Sequence, residues 1–75
     1  MTDFEMLLEK TNEMGGKICY LEYNEYYSLC ECVIKYVRLY WIFDDNNVRV
    51  YATANIDNAY VAYIRMTKHR RYYHD

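Results

Sequence analysis

Phe4, Leu7, Leu8, Thr11 and Met14 fall at helical spacing near the start of the chain, while Glu5, Glu9 and Glu13 take other faces. Thr2-Asp3-Phe4-Glu5 has the spacing of a capping box, in which a hydroxyl and a carboxylate satisfy the free N–H groups of a helix start. Gly15-Gly16 supplies the stop, because glycine reaches the left-handed conformation at low cost. The pattern predicts a helix over residues 3–14 that lays one apolar stripe on the rest of the protein.

From Lys17 the residue types change to Tyr, Val, Ile, Cys and Trp, which suit a pleated surface. KICYLEY (17–23) reads as a strand and Asn24-Glu25 as a tight turn. Ser28-Leu29-Cys30-Glu31 repeats the capping spacing, but the β-branched and aromatic residues after it favour a strand. Residues 26–43 then form one long strand, bent by a bulge near Lys35. The bulge accounts for a change of parity, with Cys30, Cys32 and Ile34 inward before it and Val37 and Leu39 after it.

Asp44 to Asn47 reads as a four-residue hairpin loop. It sets Phe43 opposite Val48, Trp41 opposite Val50, Leu39 opposite Ala52 and Val37 opposite Ala54, an apolar core side. The other face of that hairpin then carries Tyr36, Arg38, Tyr40, Arg49 and Tyr51, with Tyr40 opposite Tyr51 and Arg49 opposite Ile42. Residues 58–72 read either as a strand, favoured by their Tyr, Val, Ile and Thr, or as a helix grouping Ala59, Ala62, Tyr63 and Met66 on one stripe. The helical alternative gives the element order α-β-β-β-α. The architecture expected is α+β, a single domain over 1–75 with an N-terminal helix packed on an antiparallel meander of about four strands.

Composition narrows the function. The chain is 53% hydrophobic and 27% charged, with two glycines and no proline, so it reads as one globular unit without a linker. Its apolar runs are too short for a membrane span, its acidic N-terminus is unlike a signal peptide, and three cysteines do not make a disulfide framework, so a cytoplasmic setting is expected. The net charge of −2 hides an asymmetry: residues 1–31 hold seven acids against two bases, residues 32–75 four acids against seven bases.

Cys30-x-Cys32 with Cys19 and His69 or His74 supplies soft ligands for zinc, but paired cysteines one residue apart in a strand point at one face, and no metal or other cofactor is expected. A tight turn at Asn24-Glu25 sets Cys19 opposite Cys30, a pair open to artificial cross-linking. Ser28 is the one serine, and both histidines lie in the last seven residues, in a basic tail with Lys68, Arg70 and Arg71. That tail holds the residue types that cleave RNA, yet nothing in the sequence positions them, so catalysis is not expected.

Tyr and Arg are enriched at interface hot spots, and five of them on one sheet face predict a partner-binding surface of Tyr36, Arg38, Tyr40, Arg49 and Tyr51. Asp3, Glu5, Glu9 and Glu13 are expected to steer a basic partner electrostatically. The function expected is a small non-enzymatic module that occludes another protein, with a phage-encoded inhibitor of a host nucleic-acid-processing or defence complex such as CRISPR-Cas as the particular case. The alternatives are a single-stranded nucleic-acid binder using the same face with Lys68, Arg70 and Arg71, and a small endoribonuclease; homodimerisation through the face is a further expectation.

Overall fold

A computed structural model of the protein describes the backbone of residues 1–74 and the side chains of residues 1–70. Along the chain lie α1 (Asp3–Glu13), β1 (Lys17–Tyr23), β2 (Tyr27–Ile34), β3 (Val37–Asp44), β4 (Arg49–Thr53) and α2 (Ile56–His74). The four strands make one antiparallel sheet in the order β1-β2-β3-β4, so the fold is α+β with a meander, as expected.

The start and stop of α1 follow from its sequence. Thr2 Oγ1 accepts from the Glu5 N–H at 3.2 Å, and the Glu5 carboxylate accepts from the Thr2 N–H at 3.5 Å. At the other end Gly15 takes φ +75°, its N–H donating to Asn12 O at 3.0 Å and that of Gly16 to Thr11 O at 2.9 Å. Together these two bonds make the glycine-terminated Schellman closure.

Residues 26–43 are not one bent strand. They fold back at Lys35-Tyr36 into the β2–β3 hairpin, with Ile34 paired to Val37. Lys35 adopts φ +55°, a conformation usually left to glycine or asparagine, which is why no turn is legible there. The hairpin also explains the parity change, since paired residues share a face: Cys30, Cys32 and Ile34 lie on the same side as Val37, Leu39, Trp41 and Phe43.

Residues 58–72 are helical, against the strand that their composition favours. Asn55 begins the helix, its Oδ1 accepting from the Asn58 N–H at 2.9 Å while its carbonyl accepts from the Ala59 N–H at 3.1 Å. Packing then overrides β-propensity, because the helix buries the stripe of Ala59, Ala62, Tyr63 and Met66 on the sheet.

The two helices cover opposite faces. On the α1 side Cys30, Cys32, Trp41 and Phe43 are buried with Phe4, Leu7, Ile18, Ile34 and Leu39 around them. On the α2 side Leu29, Tyr40, Ile42 and Ala59 are buried, flanked by Leu21, Tyr27, Tyr51, Tyr60 and Met66 among others. Burial on both faces is what makes the middle strands read as near-continuous apolar runs. Asn24 ties the β1–β2 loop to α2: its Nδ2 donates to Tyr63 Oη at 2.8 Å and Thr67 Oγ1 at 2.9 Å, and its Oδ1 accepts from the N–H groups of Tyr26 and Tyr27.

The β3–β4 register also differs from expectation. Tyr40 pairs with Thr53, Trp41 with Ala52 and Ile42 with Tyr51; then the register shifts and Phe43 pairs with Arg49. Asp44 is the cause. Its Oδ1 accepts from the N–H groups of Asn46 and Val48, its own N–H donates to Val48 O at 2.9 Å, and Asn47 takes φ +60°. Phe43 thus pairs one residue later than predicted, with Arg49, and Val50 bulges out as a second extra residue, so that beyond it the register lies two residues from the expected one.

Candidate protein-binding surface

The five residues expected on one open face do not form one surface. Tyr40 and Tyr51 lie under α2, Tyr40 only 5% exposed and Tyr51 half-buried. The Tyr40 hydroxyl donates to Glu31 Oε2 at 3.2 Å, and its pKa is raised by burial first and by the Glu31 carboxylate second. Arg38 pairs with the other Glu31 oxygen at 3.3 Å but remains exposed. Tyr36 stands fully exposed at the tip of the β2–β3 turn.

Arg49 sits on the other side of the sheet. The bulge turns it to the Phe43 face, where its guanidinium lies 5.8 Å from the centre of the Trp41 ring. Its backbone N–H donates to Asp3 Oδ2 at 2.9 Å. Asp3 and Glu5 are therefore built into the ends of the fold, through Arg49 and the helix cap, whereas Glu9 and Glu13 point outward from α1.

The basic end of α2 divides as well. Lys68 is exposed, while Arg70 is half-buried with its guanidinium 5.6 Å from the Tyr26 ring centre. The side chains of Arg71 and His74 lie outside the described residues.

Cys30 and Cys32 point into the α1-side core, and the Cys32 sulfur lies 3.6 Å from Thr11 Oγ1. Cys19 is exposed and pairs with Glu31, and it is Tyr20 that pairs with Cys30, so Cys19 and Cys30 face opposite sides of the sheet. Among the described residues no three His, Cys, Asp or Glu side chains converge as a metal site does. Burial pushes the Cys30 thiol up to about 11, against a lowering hydrogen bond from Ser28 and with a small rise from Cys19. An aromatic disulfide reagent near neutral pH should therefore modify Cys19 alone in the folded protein and all three cysteines after denaturation. Rapid modification of two or more thiols in the native state would contradict the packing of the α1-side core.

The surface that sequence reasoning missed lies beside α1. Tyr20 and Tyr23 are 57% and 76% exposed, and with Ser28 they line a groove of about 440 Å³. Tyr20 stacks on Phe4 with ring centres 5.8 Å apart, and Tyr23 meets it edge-on at 6.2 Å. Strict alternation sends residues three apart to opposite faces. Here the register slips between Tyr20 and Glu22, so Tyr20 opposite Cys30 and Tyr23 opposite Ser28 share the α1 face. The chain has no glycine at this point to signal the slip.

This geometry defines a small helix–sheet–helix α+β domain with an aromatic groove on its acidic side. Neither a protein-family model, nor a curated protein, nor a solved structure gives a match to the chain. No helix among the described residues is long and apolar enough to cross a membrane.

Proposed function

We propose that the chain is a non-enzymatic binding module that acts by occluding a partner protein through the α1 side of its sheet. The observation that carries this reading is the Tyr20–Tyr23 groove. Two exposed tyrosines, held by a stack on Phe4 and by the bulge in β1, offer large contact area already ordered before binding. Glu9 and Glu13 lie outward on the helix that covers the same face and favour a partner with a basic surface. Proteins that handle nucleic acid present such surfaces, and a host nucleic-acid-processing or defence complex is the partner class this fits.

The test is a pull-down with the tagged protein from a lysate of the source cell or its host, divided so that one half is treated with nuclease before the wash. A stoichiometric protein that survives nuclease supports the occluding module. Recovery of nucleic acid instead, lost in moderate salt, would replace it by the single-stranded nucleic-acid binder.

With a captured partner, the double change Tyr20→Ala and Tyr23→Ala is expected to weaken binding by about 30-fold or more, the scale of a hot-spot pair. Tyr23→Ala alone, at the more exposed position, should weaken it with no change in thermal stability. Unchanged affinity in both variants would remove the groove from the interface.

A further inference from the structure

We infer that the protein associates with further copies of itself head to tail, the outer face of α1 on one copy resting on the outer face of α2 on the next. α1 carries Asp3, Glu5, Glu9 and Glu13 against a single lysine, Lys10. α2 carries Arg65, Lys68, Arg70 and Arg71 against a single acid, Asp57. Because the sheet lies between the helices, the acids of α1 and the bases of α2 stand on opposite sides of the molecule, where neither set neutralises the other.

The apolar residues on these outer faces point the same way. On α1, Met6, Glu9, Lys10 and Glu13 are exposed along one stripe, and Met1, Met6, Glu9, Lys10 and Glu13 line a shallow groove of about 310 Å³. On α2, Val61, Ile64, Arg65 and Lys68 are exposed along one stripe. One face thus sets methionines among carboxylates and the other sets β-branched residues among cations. Each supplies what the other lacks, an apolar contact for the apolar residues and a counter-charge for the charges. Two copies of one face would instead repel, α1 on α1 by its acids and α2 on α2 by its bases.

The symmetry follows. A contact between two different faces is heterologous, so every added copy leaves one α1 face and one α2 face free and assembly does not stop at a dimer. Two crossed helix faces bury less than the roughly 1,000 Å² that marks a stable interface, so the association is weak and concentration-dependent. Exposed charge pairs set its salt response, since their attraction is screened within about 8 Å at physiological ionic strength. The inference stands apart from the proposed function, because no partner enters its test.

That test is analytical ultracentrifugation of the purified chain across a concentration series in low and high salt. The average mass is expected to rise continuously with concentration in low salt, without a plateau at the dimer, and to return to that of the monomer in high salt. Two charge-reversed variants place the contact: Glu9→Lys with Glu13→Lys on α1, and Arg65→Glu with Lys68→Glu on α2. All four side chains are exposed, and circular dichroism should show both variants folded.

Each variant alone is expected to remain monomeric where the natural sequence associates, and an equal mixture of the two should associate again. A chain that stays monomeric in low salt at the highest soluble concentration overturns the inference. So does association that plateaus at a dimer, or that survives in each folded variant alone, because the contact would then lie on other surfaces.

Discussion

Replacing Phe43 by alanine is expected to leave the chain without a cooperative unfolding transition at room temperature. Phe43 is fully buried at the centre of the α1-side core. It meets Phe4 edge-on with ring centres 5.2 Å apart and Trp41 at 6.3 Å. Truncating a buried phenylalanine costs about 3–5 kcal/mol, combining lost transfer free energy with the cavity left behind. A single core of this size supplies only about 3–5 kcal/mol of net stability, so the substitution consumes most or all of it. Phe43→Leu retains most of the volume and should stay folded with a loss of about 1–1.5 kcal/mol. Denaturant unfolding followed by circular dichroism checks both. A Phe43→Ala chain that unfolds cooperatively with a loss below about 1 kcal/mol would show that α1 is not held through this cluster.

Gly16→Ala is the second large effect. A methyl group built at Gly16 stands 2.5 Å from the carbonyl oxygen of Val33, 2.7 Å from Ile34 Cγ1 and 3.0 Å from Thr11 Cγ2. The first neighbour is backbone, and Val33 is paired with Lys17 in the sheet, so it cannot yield without opening the β1–β2 ladder. Overpacking of this kind costs about 1–3 kcal/mol, which in so small a domain lowers the melting midpoint by roughly 4 to 24 degrees. Gly15 is glycine for a different reason. Nothing lies within 4 Å of a Cβ there, but its φ of +75° disfavours side chains, so Gly15→Asn should be tolerated better than Gly16→Ala. Thermal melts of the two variants compare the requirements directly, and equal losses would mean that the close approach of Gly16 to β2 is not what holds the helix end.

Both glycines are visible in the sequence as a helix stop, but only the fold separates a conformational need from a steric one. The same division runs through the candidate surface. Tyr36, Arg38, Tyr40, Arg49 and Tyr51 alternate as a sheet face should, and Tyr40 and Tyr51 do share a face. That face is covered because residues 56–74 coil into a helix and pack on it, a result decided by the burial of Ala59, Ala62, Tyr63 and Met66 and not by their intrinsic preference. Arg49 leaves the group through one extra residue at Val50, and Tyr20 joins Tyr23 through one register slip in β1.

Features governed by contacts a few residues apart are legible in the order of residues alone. The capping box of Thr2 and Glu5, the glycine closure after Met14, the strand character of residues 17–53 and the segregation of acidic and basic halves depend on near neighbours and are read directly. Tertiary structure decided which face each strand residue occupies and whether that face meets solvent. Side chains in a strand alternate with a period of two, so a single bulge or an unsignalled turn inverts every position beyond it. Lys35, Val50 and the slip between Tyr20 and Glu22 are three such places, and each is set by pairing with the neighbouring strand, which the alternation along a single strand does not encode.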